Sequence, residues 1–126
     1  MSDKILFIED EEEIIDLMRM RLEGQGYTFS AAFNGEDGLI KAGEDKPGLI
    51  LLDIVLPRID GLTVCRKLKS NPQTKGIPVI MISAIGSRDI SEKCRQAGAE
   101  DFISKPFEAQ ELLDKIARFL KKERRQ

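Results

Sequence analysis

Leu49-Ile50-Leu51-Leu52-Asp53 is the stretch on which the fold turns. Four aliphatic residues in a row leave no polar face, so a strand here is buried on both sides. Its last residue is a carboxylate. At the end of a buried strand an unpaired carboxylate costs several kcal/mol, roughly, so Asp53 needs a partner or a task.

Working outward, similar apolar runs recur about every 25 residues, each followed by a helical pattern. This is the signature of repeated βα units. Lys4–Glu9 reads as the first strand, with Ile5-Leu6-Phe7-Ile8 apolar throughout. Tyr27–Phe33 reads as the second, Leu49–Asp53 the third, Pro78–Ser83 the fourth and Asp101–Ser104 the fifth. The first helix is expected over Glu12–Gln25, with Ile14, Leu17, Met18 and Leu22 inward and Gly24 and Gly26 as its stop. Asn34-Gly35 opens the second helix, which runs to about Glu44, before Pro47-Gly48. The third helix covers about Asp60–Lys69. The fourth is capped by Ser87, presents Ile90, Cys94 and Ala97, and stops at Gly98. The fifth runs from about Glu108 to Lys122, with Leu112, Leu113, Ile116 and Leu120 inward.

Strands one, three and four are continuously apolar and belong at the centre. Strand two alternates and strand five is short and polar-ended, so both belong at edges. With right-handed crossovers the order is 2-1-3-4-5, an α/β, doubly wound, flavodoxin-like parallel sheet of (βα)5 form. The crevice between strands one and three is then the expected ligand site.

The chain has 126 residues, 33% charged and 41% hydrophobic, which suits one globular domain. It contains no histidine, and that removes histidine bases, histidine metal ligands and Ser-His-Asp triads together. No stretch reaches the length of a membrane span, and Met1-Ser2-Asp3-Lys4 does not begin a secretory signal. Cys65 and Cys94 therefore read as reduced, apolar residues of a cytoplasmic protein. The net charge of −2 conceals an asymmetry: residues 1–63 carry 14 acids against 6 bases, and residues 64–126 carry 8 against 14. The dominant basic face of a non-specific nucleic-acid binder is missing, and the acids crowd the N-terminal half.

Parallel strands all finish at one edge of the sheet. Glu9 and Asp10 after strand one, Asp53 at the end of strand three, Ser83 at the end of strand four and Lys105 after strand five should therefore meet. Each has an ordinary explanation alone. Glu9–Glu13 could be an acidic first helical turn, with Asp10 and Glu13 at capping-box spacing. Asp53 could cap the next loop, Ser83 could be a turn residue and Lys105 a solvated lysine. Together they are chemically coherent. Crowded carboxylates call for a hard divalent cation; Mg²⁺ suits, with Mn²⁺ as the alternative. A carboxylate beside that ion can take a phosphoryl group as an aspartyl phosphate, while cation and ammonium neutralise the oxygen charge.

The set resembles the receiver domains of two-component response regulators. The resemblance covers Lys4–Leu120 and rests on Ile8-Glu9-Asp10-Glu11, on Asp53-Ile54-Val55-Leu56-Pro57-Arg58-Ile59-Asp60-Gly61, on Ser83-Ala84 and on Lys105-Pro106-Phe107. It implies that Asp53 is the phosphoacceptor. Glu9, Asp10, Asp53 and the backbone carbonyl of Val55 would hold the metal. Ser83, Ala84 and Lys105 would bind the phosphoryl group, Phe102 would be the switch aromatic, and the bond before Pro106 would be cis. The side chains of Val55 and Ile85 would flank the path of a hydrolytic water. The chain departs from the family's pattern in having Glu9 where Asp is commoner, and Phe102 where Tyr is frequent.

The resemblance also implies partners. A sensor histidine kinase or phosphotransfer protein would donate the phosphoryl group. The face of helix four, strand five and helix five would control an output domain or downstream protein, or a phosphorylation-dependent homodimer. No membrane and no direct nucleic-acid contact is expected, and no turnover of a free substrate: the domain phosphorylates itself and dephosphorylates slowly. Residues 1–120 form the receiver, and 121–126 a basic tail or the start of a linker. A degenerate receiver serving as a docking module is one alternative. An Asp-nucleophile, Mg²⁺-dependent phosphatase is another, but it would want Asp-x-Asp on strand one and a cap. A flavodoxin-like FMN carrier would meet repulsion from Glu9–Glu13.

Overall fold

The computed structural model describes residues 3–84 and 88–120, with the Arg88 side chain left aside. Its elements alternate strictly: β1 (Lys4–Ile8), α1 (Glu12–Gly24), β2 (Thr28–Ala32), α2 (Gly35–Asp45), β3 (Leu49–Asp53), α3 (Gly61–Ser70), β4 (Val79–Ser83), α4 (Arg88–Gln96), β5 (Asp101–Ser104) and α5 (Ala109–Phe119). The strands form one sheet in the order β2-β1-β3-β4-β5, and every pairing is parallel. This is the flavodoxin-like doubly wound arrangement.

Period-two alternation sends successive side chains of each strand to opposite faces. Ile5, Phe7, Leu49, Leu51, Ile80 and Ile82 pack beneath α1 and α5. Leu6, Ile8, Ile50, Leu52, Val79 and Met81 pack beneath α2, α3 and α4. All five residues of β3 and of β4 are buried. Each large aliphatic side chain so placed contributes about 1.5–3 kcal/mol of apolar burial, before the cost of ordering the chain.

Turn chemistry sets the boundaries. Gly26 has φ 92° and Gly98 φ 99°, a left-handed backbone that side chains disfavour, just past α1 and α4. The Asn34 side chain accepts the Asp37 amide at 2.8 Å, and that of Asp60 accepts the Thr63 amide at 2.8 Å. Each thereby caps its helix. Ser87 lies outside the described residues, as does the expected extension of the last helix past residue 120.

Two expectations about α1 fail. Its inward residues are Ile15, Met18 and Leu22, whereas Leu17 is 62% exposed and Ile14 only partly buried. Apolar residues at 14, 15, 17, 18, 20 and 22 cover more than one face, so periodicity alone does not choose between adjacent stripes. The Asp10–Glu13 capping box is also absent: Glu11 is the N-cap and makes no side-chain cap bond.

Both cysteines are buried and unpaired. Burial pushes each thiol up to about 11, and Cys65 donates to the Ala97 carbonyl at 3.5 Å. They pack as apolar residues within the cluster under α3 and α4. Among the described residues no helix is long and apolar enough to cross a membrane.

Candidate functional site

The strand ends converge as parallel topology requires. β1 and β3 are hydrogen-bonded neighbours, so Glu9, one residue past β1, comes beside Asp53, the last residue of β3. The Glu9 amide still donates to Ala32 O at 3.0 Å, extending the β1–β2 ladder by one bond. Glu9, Asp10, Asp53, Val55, Ala84 and Lys105 line an open cleft of ≈ 500 Å³.

Asp53 is almost fully buried and uses both carboxylate oxygens. Oδ1 accepts the Val55 amide at 2.8 Å, and Oδ2 accepts Lys105 Nζ at 2.9 Å. The Lys105 side chain is 29% exposed against 8% for that of Asp53, so the pair sits at the rim of the interior. Burial opposes charge on Lys105, but its hydrogen bond to Asp53 and the charges of Asp53, Glu9 and Glu11 hold its ammonium above the ordinary value.

Glu9 is 2% exposed. Its Oε2 turns back to accept the Glu11 amide at 3.0 Å. Its Oε1 is buried without a hydrogen-bond partner, 3.9 Å from Lys105 Nζ. Burial, then the neighbouring Asp53 carboxylate, push the Glu9 carboxyl up to about 8; the Glu11 amide and Lys105 pull the other way. The metal-free site therefore disfavours the charged form of Glu9 relative to a carboxyl in water.

Other expected residues sit at graded distances from this centre. Asp10 is exposed at the cleft wall. Val55 is 62% exposed. Ser83 closes β4 but is fully buried, and its carbonyl accepts the Lys105 amide at 2.7 Å; the cleft wall there is its neighbour Ala84. The peptide bond before Pro106 is cis. Phe102 packs against the cluster under α2–α4 and lines a separate cavity of ≈ 180 Å³ with Ser91 and Cys94. Ile85 lies outside the described residues.

Among the described residues no three acidic, thiol or imidazole side chains form a ready-made metal cage. The donor set nevertheless fits Mg²⁺, which takes one or two carboxylates and completes its shell with water and phosphate oxygens. The orphaned Glu9 Oε1, beside a second carboxylate, is the sort of buried acceptor such an ion satisfies.

Sequence reasoning missed one contact of this centre and one away from it. The Val55 amide as a donor to Asp53 has no signature beyond its position in the loop. Asp101 was seen as a polar strand end, yet it accepts the Phe102 amide and pairs with Lys115 and Arg118, tying β5 to α5.

Residues 5–117 match the family model of the response regulator receiver domain. The chain is 37% identical over 119 residues to the DNA-binding dual master transcriptional regulator RpaA of Synechocystis, covering 94% of this chain and 49% of that protein. It is 41% identical over 108 residues to the response regulator PleD of Caulobacter vibrioides, covering 86% and 24% respectively. Against the phosphate regulon regulatory protein PhoB of Rhizobium meliloti the identity is 34%, covering 97% and 54%. The chain thus spans about half the length of two of these relatives and a quarter of the third. Among solved structures, it is similar to the receiver domain of a sensor histidine kinase from Pseudomonas aeruginosa with magnesium coordinated in its active-site cleft. The TM-score there is 0.87 at 26% identity, covering 97% of this chain and 100% of that one. The BeF3-activated N-terminal receiver domain of RstA from Klebsiella pneumoniae gives 0.87 at 29% identity, covering 94% and 99%. The chain belongs to the receiver domains of two-component response regulators.

Proposed function

We propose that this receiver accepts a phosphoryl group on Asp53, from a phosphohistidine on a sensor histidine kinase or phosphotransfer protein, in a Mg²⁺-dependent reaction. The carrying observation is the buried Asp53 carboxylate held between the Val55 amide and Lys105, with the unsatisfied Glu9 Oε1 alongside. An Asp53 oxygen attacks phosphorus; the O–P bond forms as the N–P bond breaks, and its electron pair stays on the donor imidazole. Glu9, Asp10, Asp53 and the Val55 carbonyl would hold Mg²⁺, or Mn²⁺. When bound, the ion draws charge from the phosphoryl oxygens. Lys105 then exchanges its contact with the Asp53 carboxylate for one with a phosphoryl oxygen, a charge-assisted bond.

Signalling follows from the same groups. The Ser83 hydroxyl turns toward the new phosphoryl oxygens, with Ala84 beside it, and Phe102 moves into the space vacated. The cavity between α4 and β5 gives the ring room to repack. The α4-β5-α5 face then changes for an output domain, a downstream partner or a second phosphorylated copy. The domain works in the cytoplasm and contacts neither membrane nor nucleic acid itself. Residues 1–120 carry the receiver, and 121–126 a tail or linker start. Acetyl phosphate with Mg²⁺ should install one phosphoryl group that hydroxylamine removes, as it does an acyl phosphate. A hydroxylamine-resistant adduct, or turnover of p-nitrophenyl phosphate, would favour a different chemistry; no adduct at all would leave a docking module.

A further inference from the structure

Gly61, the first residue of α3, touches the backbone of the phosphoacceptor. A methyl group on its Cα would lie 2.2 Å from the Asp53 carbonyl oxygen, 2.7 Å from Ile54 Cα and 3.0 Å from the Asp53 carbonyl carbon. These are backbone atoms, which have no rotamer by which to swing aside. The Gly61 amide also donates to Ile54 O at 2.7 Å. The loop 54–60 is thereby closed on the carbonyl of the Ile54–Val55 peptide, one peptide beyond the bond that leaves Asp53.

We propose that Gly61 is a positioning residue for the cleft: its missing side chain lets α3 close against the Asp53–Ile54 peptide, and this fixes the Asp53 carboxylate and the Val55 peptide against Glu9. The inference rests on the reading of Asp53 as phosphoacceptor. An alanine would need about 1 Å more separation, since atoms in a packed interior do not overlap. Both flanks resist that shift. Asp53 is paired with Ile82, and Ile54 N donates to Ile82 O at 3.1 Å. The helix is anchored by buried Val64, Cys65 and Leu68. The loop between them is the softer part. Val55, Pro57 and Arg58 are exposed, and Arg58 already has φ 67°. That loop carries the Val55 amide that holds Asp53 Oδ1. A strained loop therefore displaces the carboxylate, and misplacement on this scale is costly to metal binding and in-line attack.

Gly61→Ala should fold, as judged by circular dichroism. Isothermal titration with Mg²⁺ should show its Kd raised at least tenfold, and acetyl phosphate should label it more slowly at saturating Mg²⁺. Val64→Ala is the control. It removes buried methyl groups from the same helix without pressing on Asp53, and should lose stability while its Mg²⁺ Kd stays within twofold of wild type. All titrations are made at a temperature where each chain is folded. A Gly61→Ala Kd within twofold of wild type overturns the proposal. So does an equal loss in Val64→Ala, and so does a Gly61→Ala chain that fails to fold, since the fold and not the loop would then absorb the methyl. A wild type that binds no Mg²⁺ removes the reading of Asp53 as a Mg²⁺-dependent phosphoacceptor and this inference with it.

Discussion

Glu9 carries one more methylene than the aspartate commoner at its place in receivers, and the structure shows how the length is absorbed. One oxygen folds back onto the Glu11 amide, and the other faces Lys105 and the cleft. The raised carboxyl, up to about 8 from 4.5, makes metal-free stability depend on pH. Between those values the folded chain holds a proton that the unfolded chain has released. The contribution is complete below about pH 4.5 and is lost as pH rises through 8, with a slope of at most about 1.4 kcal/mol per pH unit. Urea melts in chelator from pH 5 to 8.5 should show this decline, and Glu9→Gln should flatten it. Mg²⁺ competes with the same proton, so its affinity should rise with pH in that window. Lys105→Ala tests the other partner. The fold should survive, with a loss of roughly 1–2 kcal/mol for an ion pair partly open to solvent. The phosphorylated variant should no longer engage its output partner, checked by comparing pull-down of that partner with wild type. Asp53, Glu9 and Lys105 were legible in the sequence because topology alone sends strand ends to one edge. The retraction of Ser83 below the cleft wall was not, because strand position does not say which way a terminal side chain faces.

At the scale of elements, β3 and the loop after it carry the residues proposed to set both geometry and lifetime. Hydrolysis of an aspartyl phosphate needs a water in line with phosphorus, opposite Asp53. Val55, 62% exposed at the cleft, cannot hydrogen-bond such a water, and Ile85 has the same apolar character. The wild-type phosphate should therefore be long-lived, and Val55→Asn with Ile85→Glu should shorten its life. Phosphate release in Mg²⁺ without kinase measures both; a wild-type lifetime no longer than the double variant's would contradict the assignment. The three central strands were readable because burial on both faces leaves an unbroken apolar run, as in Leu49–Leu52, and the edge strands because β2 alternates and β5 is short with polar ends. The inward face of α1 was not, because its apolar residues wrap too far around the helix. Nor was the close approach of Gly61 to Asp53, a contact between backbone segments that no local pattern encodes.

For the whole molecule, the doubly wound order places two carboxyl groups side by side at the switch point, and ionising both of them there is costly. A ligand that binds only the folded form offsets that cost. Mg²⁺ at ten times its Kd should add about 1.4 kcal/mol, seen as a higher melting temperature. Asp53→Asn should relieve Glu9 of its nearest like charge, lower its carboxyl toward the ordinary value and shrink the Mg²⁺ effect, in melts run with and without the ion. Intact-mass measurement after incubation with acetyl phosphate and Mg²⁺ asks whether Asp53 receives the phosphoryl group. Wild type should gain one phosphoryl group, and both the Asp53→Asn variant and wild type in chelator should gain none. An unmodified wild type, or an Asp53→Asn chain that gains the same mass, would contradict that role for Asp53.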